Sequence, residues 1–426
     1  MYFQKWLEQQ EIQPKKQFDK VQNLTQTGKY FADFFSKVSK GEFGKSDVAW
    51  NQTIDLTPHK DFHNELKNHT GNFDEHIAKS IPTYREIQIK KGNAIVQTFT
   101  GKTASMLDIG GSEGSFSKTV TAMSRGTIQT KILDPNPDMQ AFYNKKSQVQ
   151  GSHYDTRAFH RGWVEDDGTE IPALNAENST DRFDIIHEAM VFQFINNQRA
   201  TQIVEAKKLL KPNGLLITEE KLKTTPEEWK ANELFKDQNH KNIYYSNEEL
   251  AQKNKIVGFQ QSDKESKAVG MVDNMVTVPQ FEALLNRNFK EVWQYWDAGN
   301  FKGYAASDDP EVVQRFVKAI GNVYNKYSRV QTPRKVVGTM PHNFTEWLME
   351  NKHHHEILVT LLPEPEKLHK MCGKHVRKHY GHKIKTKAAD LGFDMDDAAL
   401  EDFFRSIIGP VEELPEFDIN HYHHHL

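Results

Sequence analysis

At 426 residues the chain is longer than one hydrophobic core usually serves, which predicts two domains or one domain with appendages. Its 27% charged and 37% hydrophobic residues and net charge of -3 describe a soluble protein with no whole-chain attraction to nucleic acid or acidic lipid. A single cysteine, Cys372, excludes an internal disulfide and a cysteine-built zinc site; with no apolar leader and no run of about 18 apolar residues, the reading is a cytoplasmic protein that does not enter a membrane.

Residues 1–70 are polar and rich in Lys, Gln and Asn, and read as a mainly helical extension. Within it, "KYFADFFSKVSKGEF" spaces Phe31, Phe34, Phe35 and Val38 as one helix face, which predicts a docking helix. From 71 to 307 short apolar runs alternate with helical segments, the pattern of βαβ units around a mainly parallel sheet. The expected strands are "ASMLDIG", "TKILD", "FDIIHEA", "GLLITEE", "EVWQYWDA" and "FKGYAAS", with helices after Gly114, over 137–146 and over 197–210. The last two strands, joined through Asp297-Ala298-Gly299-Asn300, read as an antiparallel hairpin. A polar insertion, 222–278, separates that hairpin from the strand before it. Asp309 and Pro310 open a helix with the stripe Val313, Phe316, Val317, Ile320 and Val323, the expected start of a C-terminal helical domain over 308–426.

"MLDIGGSEGSF" allows two chemistries. From Gly110 to Gly114 it spells Gly-x-Ser-x-Gly, in which Ser112 would be a hydrolase nucleophile at the top of a mid-sheet strand. From Asp108 it is an acid, then small residues, then a helix, as in a first βα turn that holds a nucleotide-like cofactor. Because the residues before Met106 look helical, this is the first strand in the chain, which favours the cofactor loop. Asp134, at the end of the next strand and about 20–25 residues on, is then placed to accept hydrogen bonds from ribose hydroxyls.

The ordered set of a Gly-rich first loop, "DRFDIIHEAMVFQFI", "AKKLLKPNGLLITEEK" and a terminal hairpin resembles the Rossmann-like fold of class I S-adenosylmethionine-dependent methyltransferases. Over 71–307, "FDEHIAKSIPTYREI", "VFQFI", "ITEEKL", "YYSNEELAQKNK" and "YWDAGNFKGYAAS" further resemble the carboxy-S-adenosylmethionine synthase-like family. The resemblance implies S-adenosyl-L-methionine as cofactor, with Tyr84, Asp108, Gly110, Gly111, Ser112 and Asp134 around it and Glu165 or Asp166 near its adenine. Two positions depart from that family. Ala189 stands where it has an asparagine, and Asn254 stands where it has the arginine that grips the cofactor's extra carboxylate, a bidentate contact an asparagine cannot make. Lys253 and Lys255 would replace it only after a local shift, so ordinary S-adenosylmethionine is expected.

Methyl transfer needs in-line positioning rather than a covalent nucleophile, with a general base where the acceptor must lose a proton. The candidate bases are His187 and Glu188, against a reading of His187 as a strand-end residue satisfied by backbone; of Glu219 and Glu220, at most one faces the site. In the insertion, Tyr244, Tyr245 and Asn254 are candidate acceptor contacts, whereas Trp229 and Phe235 read as packing. The acceptor is a small molecule or nucleic acid, and the helical ends are candidates for homo-oligomerisation. The basic run from Lys367 to Lys387 reads as pairing with the acidic stretch after it, and no metal site is expected. Two other functions stay open: carboxy-S-adenosylmethionine synthesis, and a catalytically silent module that keeps the fold for interaction.

Overall fold

The computed structural model describes residues 34–41, 59–165, 167–195, 199–251, 275–324, 330–331, 333–337, 343–350, 357, 361–362, 373–391, 393 and 395–408. Asp166, Asn254, Lys253 and Lys255 lie outside them.

Three helices, α1 (Lys60–His69), α2 (Asn72–Ser80) and α3 (Tyr84–Thr98), precede the first strand. The sheet is then built from β1 (Ala104–Ile109), β2 (Ile128–Leu133), β3 (Ser152–Asp155), β4 (Phe183–Ala189), β5 (Leu210–Lys221), β6 (Glu291–Ala298), β7 (Phe301–Ser307) and β8 (Arg334–Lys335). Between them run α4 (Ser115–Met123), α5 (Pro137–Lys145), α6 (Arg199–Leu209), α7 (Pro226–Lys236) and α8 (Val278–Asn288). The spatial order is β8-β6-β7-β5-β4-β1-β2-β3. The pairs among β3, β2, β1, β4 and β5 are parallel, while β7 pairs antiparallel with both β5 and β6. This is the Rossmann-like arrangement expected, closed by the antiparallel hairpin at 297–300.

Apolar runs make the central strands because both faces are covered: Met106, Leu107, Ile185, Ile186, Leu215, Leu216 and Ile217 have no solvent exposure. The chain switches between layers at β1, whose neighbours β2 and β4 follow on opposite sides, and such a switch opens a crevice at the strands' carboxyl ends. Register sets what meets there. Asp108 lies beside His187, His187 beside Ile217 and Lys221 beside Phe301. Two-residue alternation puts Glu188 on the other face of β4.

The sheet belongs to a compact unit, Leu24–Gly338. Helix α9 (Pro310–Ile320) is part of it, although its sequence reads as the head of a C-terminal domain: Val313, Phe316, Val317 and Ile320 are buried against α3 and the hairpin strands. Asp309 caps it by accepting from the Glu311 N–H at 3.0 Å. The boundary read at 308 therefore falls after Gly338.

Met1–Asn23 and Thr339–Leu426 form the second unit. Its described core is aromatic: Phe344, from α10 (Phe344–Glu350), stacks on Phe403 of α12 (Asp397–Phe403) with centroids 6.0 Å apart, and on Trp347 at the same distance. Basic α11 (Gly373–Asp390) pairs with the acidic segment after it through Arg377–Glu401 at 2.7 Å and Lys385–Asp397.

Candidate active site

The loop after β1 turns within one residue. Gly110 has φ +61°, and a Cβ there would approach Val191 Cγ2 to 2.4 Å, so only glycine lets the chain leave β1 beneath the segment that follows β4. Gly114 repeats the requirement at the start of α4, with φ +75° and Tyr143 where a side chain would go. Between them Ser112 donates its backbone N–H to Asp134 Oδ2 at 3.1 Å and its hydroxyl to Gly110 O at 3.3 Å. The other Asp134 oxygen accepts from Asn136 N–H at 2.9 Å. The carboxylate is thus clamped at the end of β2 with lone pairs left over. Burial raises it to about 6 despite those two bonds.

Asp108 accepts from Ser117 Oγ at 2.7 Å and from His187 Nδ1 at 2.8 Å. Phe116 stacks on the imidazole, centroids 4.5 Å apart, which fixes the ring plane. With Nδ1–H given to Asp108, Nε2 is the basic nitrogen, and among the described residues it has no hydrogen-bond partner. Burial and the Lys91 charge lower the His187 pKa more than Asp108 raises it.

A cavity of about 650 Å³ opens over these groups, a size suited to a cofactor and a small acceptor. Tyr84, Asp108, Gly110, Gly111, Ser112, Asp134, Glu165 and His187 all line it. So does Asp74, in the first turn of α2, which bonds Ser115 and is raised to about 6, chiefly by burial. Behind it Glu113 accepts from the Phe73 N–H at 3.1 Å and is raised to about 8 by burial and by Asp74. Asp74, Asp108 and Asp134 thus share the cavity, with the Arg85 charge lowering the Asp74 pKa only in part. Opposite it, helix 34–39 supplies Phe34, Phe35 and Ser36; the Phe35 ring packs edge-on against Phe73 and Phe194 at 5.1 and 5.0 Å.

Residues 84–261 match the family model described as a methyltransferase domain. That segment, less than half of the chain, is what is similar to a methyltransferase domain. A comparison with curated proteins finds no match. Among solved structures, an O-methyltransferase family protein from Burkholderia thailandensis is 12% identical, with 53% of this chain and 57% of that one covered and a TM-score of 0.34. Human N-acetylserotonin methyltransferase, solved with S-adenosylmethionine, is 12% identical over 61% and 60% of the two chains, TM-score 0.32. The plantazolicin methyltransferase BpumL, solved with S-adenosylhomocysteine and a desmethyl-plantazolicin analogue, is 12% identical over 59% and 93%, TM-score 0.35. The chain thus spans less than two thirds of the length of the first and second of these proteins.

Within the matched segment not every expected residue reaches the cavity. Glu188 turns to the other face of β4 and accepts from the N–H groups of Val191 and Phe192 at 2.7 and 3.1 Å; burial and Glu220 raise it well above the usual carboxylate range. It is a capping acid for the turn Phe192–Ile195, and the reading of it as a base is set aside. Glu219 is consumed by Lys91 at 2.8 Å, Gln88 at 3.0 Å and Tyr295 at 2.9 Å, and like Glu220 lies outside the cavity lining. Tyr244 and Tyr245 also do not line it: the Tyr245 hydroxyl bonds His76 Nδ1 at 2.8 Å, and the Tyr244 ring packs against His240, centroids 5.5 Å apart. Both are packing residues.

The lining residues that pattern reading missed are Asp74, helix 34–39 as a roof, and Lys221, Lys236 and Lys241. Asp74 reads in sequence as an ordinary acid in a helix's first turn, and only burial distinguishes it. Lys236 and Lys241, five apart, lie on different sides of a regular helix, but the wide turn Asp237–Lys241 that continues α7 brings both to the cavity.

Proposed function

We propose that the domain places the methyl group of S-adenosylmethionine on an acceptor that loses a proton to His187. The observation that carries this reading is the convergence of Asp74, Asp108 and Asp134 on one cavity beside the Gly110 turn. Burial raises Asp74, despite the Arg85 charge, and Asp134, and the sulfonium and ammonium groups of this cofactor are cations that would offset that cost. Asp134 would hold the ribose, the Gly110–Ser112 backbone and Tyr84 the amino-acid portion, and Glu165 the adenine side. When bound, the cofactor supplies an electrophilic methyl on a sulfonium that departs as a neutral thioether. The chain's own contribution is alignment, exclusion of water by the Phe35 roof, and a basic Nε2 on His187 held in one tautomer by Asp108. Ser112 has no part as a nucleophile in this reading, because its hydroxyl is given to Gly110 O rather than to a histidine. Ordinary S-adenosylmethionine is preferred to the carboxylated form because Asn254 replaces an arginine.

Calorimetry with S-adenosylmethionine between pH 5 and pH 8 tests the reading. Asp74 and Asp134 are ionised above about 6 and neutral below it, so affinity is full at pH 8 and falls as the pH drops through 6, with protons released on binding in that range. Asp134→Ala weakens binding by about 1.5–3 kcal/mol per lost charge-assisted hydrogen bond. No binding at any pH, or unchanged affinity in the variant, overturns the reading.

A further inference from the structure

At its β5 end the cavity changes sign. Lys221 closes β5, Lys236 ends α7 and Lys241 ends the wide turn; all three line the cavity and are between 2% and 5% exposed. Against them stand Glu233, which bonds Lys221 at 2.8 Å and Lys236 at 2.7 Å, and Asp237, 3.3 Å from Lys241 and 20% exposed on its side chain. Among the described residues three ammonium groups thus face two carboxylates, of which Glu233 is the more deeply buried. Glu233 also accepts from Asn300 Nδ2 at 3.0 Å, so its oxygens are already shared among three donors. Burial and Lys236 push Lys241 down to about 8, and burial holds Lys221 well below its usual value against the pull of Glu233. Positive charge is crowded here, and bringing ammonium groups together out of water is costly.

The position of the cluster says what it meets. Asp108, the Gly110–Ser112 turn and Asp134 come from β1, β2 and their loops, on one side of β4. Lys221 lies on the other side, four residues beyond the His187 level on neighbouring β5, about 13 Å further toward the carboxyl edge. Phe301, directly across from Lys221 in the antiparallel pair, also lines the cavity, and Lys221 and Lys236 each stand 5.2 Å from its ring centroid. An apolar ring beside excess ammonium suits a molecule with an apolar body and an anionic end.

We propose that the methyl acceptor carries an anionic oxygen group, a carboxylate or a phosphate, and that Lys221, Lys236 and Lys241 receive it while the opposite end meets His187. This rests on the methyl-transfer reading for the word acceptor, but the anion site itself is tested separately. The full chain is melted without cofactor in inorganic phosphate or in acetate, ionic strength being held constant with potassium chloride, beside the double variant Lys236→Met/Lys241→Met and the variant Glu233→Gln. In the wild type one anion raises the melting temperature by about 3 °C or more. That rise disappears in the double variant and grows in Glu233→Gln, which removes the competing carboxylate while leaving the lysines. The anion with the larger effect identifies the group as carboxylate or phosphate. No rise with either anion, or the same rise in the double variant, overturns the proposal. Calorimetry with S-adenosylhomocysteine runs alongside: its absence in the wild type counts against the methyl-transfer reading alone, whereas a loss of its affinity in the double variant assigns the lysines to the cofactor's carboxylate and overturns the anionic acceptor. Should the double variant not fold, the Glu233→Gln result decides.

Discussion

The imidazole of His187 is neutral near pH 7, because burial and the Lys91 ammonium lower its pKa and Asp108 offsets them only in part. A neutral ring that donates from Nδ1 offers a lone pair at Nε2, and stacking on Phe116 prevents it from turning away. A strand-end histidine satisfied by backbone would instead have its ring nitrogens spent on carbonyl groups. The register of β1 against β4 makes the difference, since it sets Asp108 at the level of His187 on the same face. His187→Ala is therefore expected to lower kcat by a factor on the order of 10²–10⁴, the usual range for a general base, with S-adenosylhomocysteine affinity held within about threefold. Steady-state kinetics and calorimetry on the same preparation check this. Equal losses in both would make the residue a structural partner of Asp108 and nothing more.

At the level of elements, helix 34–39 acts through one ring. Phe34 and Val38 anchor it, at 5% and 1% exposure, while Phe35 spans from Phe73 of α2 to Phe194 after β4 and so roofs the cavity. Phe35→Ala removes the roof and keeps the anchors, and should speed S-adenosylhomocysteine release about tenfold, equivalent to about 1.4 kcal/mol, in a stopped-flow displacement experiment; an unchanged rate would leave the helix as packing alone. The periodicity of Phe34, Phe35 and Val38 was legible in the sequence, but not what the helix covers, because the Phe35 partners are 38 and 159 residues away. Strands divide in the same way. β1, β2, β4, β5 and the hairpin are readable as apolar runs because both sheet faces bury them. β3, "SHYD", is polar and is held at the edge by hydrogen bonds among Thr121, Thr130 and Ser152, so it leaves no apolar signature. In the site, Asp108, Gly110 and Asp134 were readable from spacing along one loop and one strand, whereas Asp74 and the lysine cluster depend on burial, which pattern does not encode. The same limit applies to Glu188, adjacent in sequence to His187 and opposite to it in space.

On the scale of the whole molecule, the sheet and its cavity need more chain than the matched segment supplies. The charge and Pro signals at 308–310 read as a domain start, and they do mark a helix start, but the apolar stripe that follows is spent on α3 and the hairpin rather than on later helices. A sequence stripe states that a face is buried and is silent on what buries it. The two boundaries give opposite outcomes on truncation. Ending the chain after Asp309 deletes Val313, Phe316, Val317 and Ile320, each at most 5% exposed. Burial of four such side chains is worth on the order of 10 kcal/mol, comparable to the whole stability of a typical domain, about 5–15 kcal/mol. It also bares their partners in α3, the helix that holds Tyr84, Gln88 and Lys91. That product should fail to give a cooperative melt and should not bind S-adenosylhomocysteine. Ending after Gly338 removes most of the other unit and leaves every lining residue of the cavity. This longer product should melt cooperatively and bind S-adenosylhomocysteine within about threefold of the full chain, by calorimetry at pH 8, where Asp74 and Asp134 are ionised. A cooperative melt and binding in both products would place the boundary at 308 after all, whereas loss of binding in both would mean that the site depends on residues 339–426.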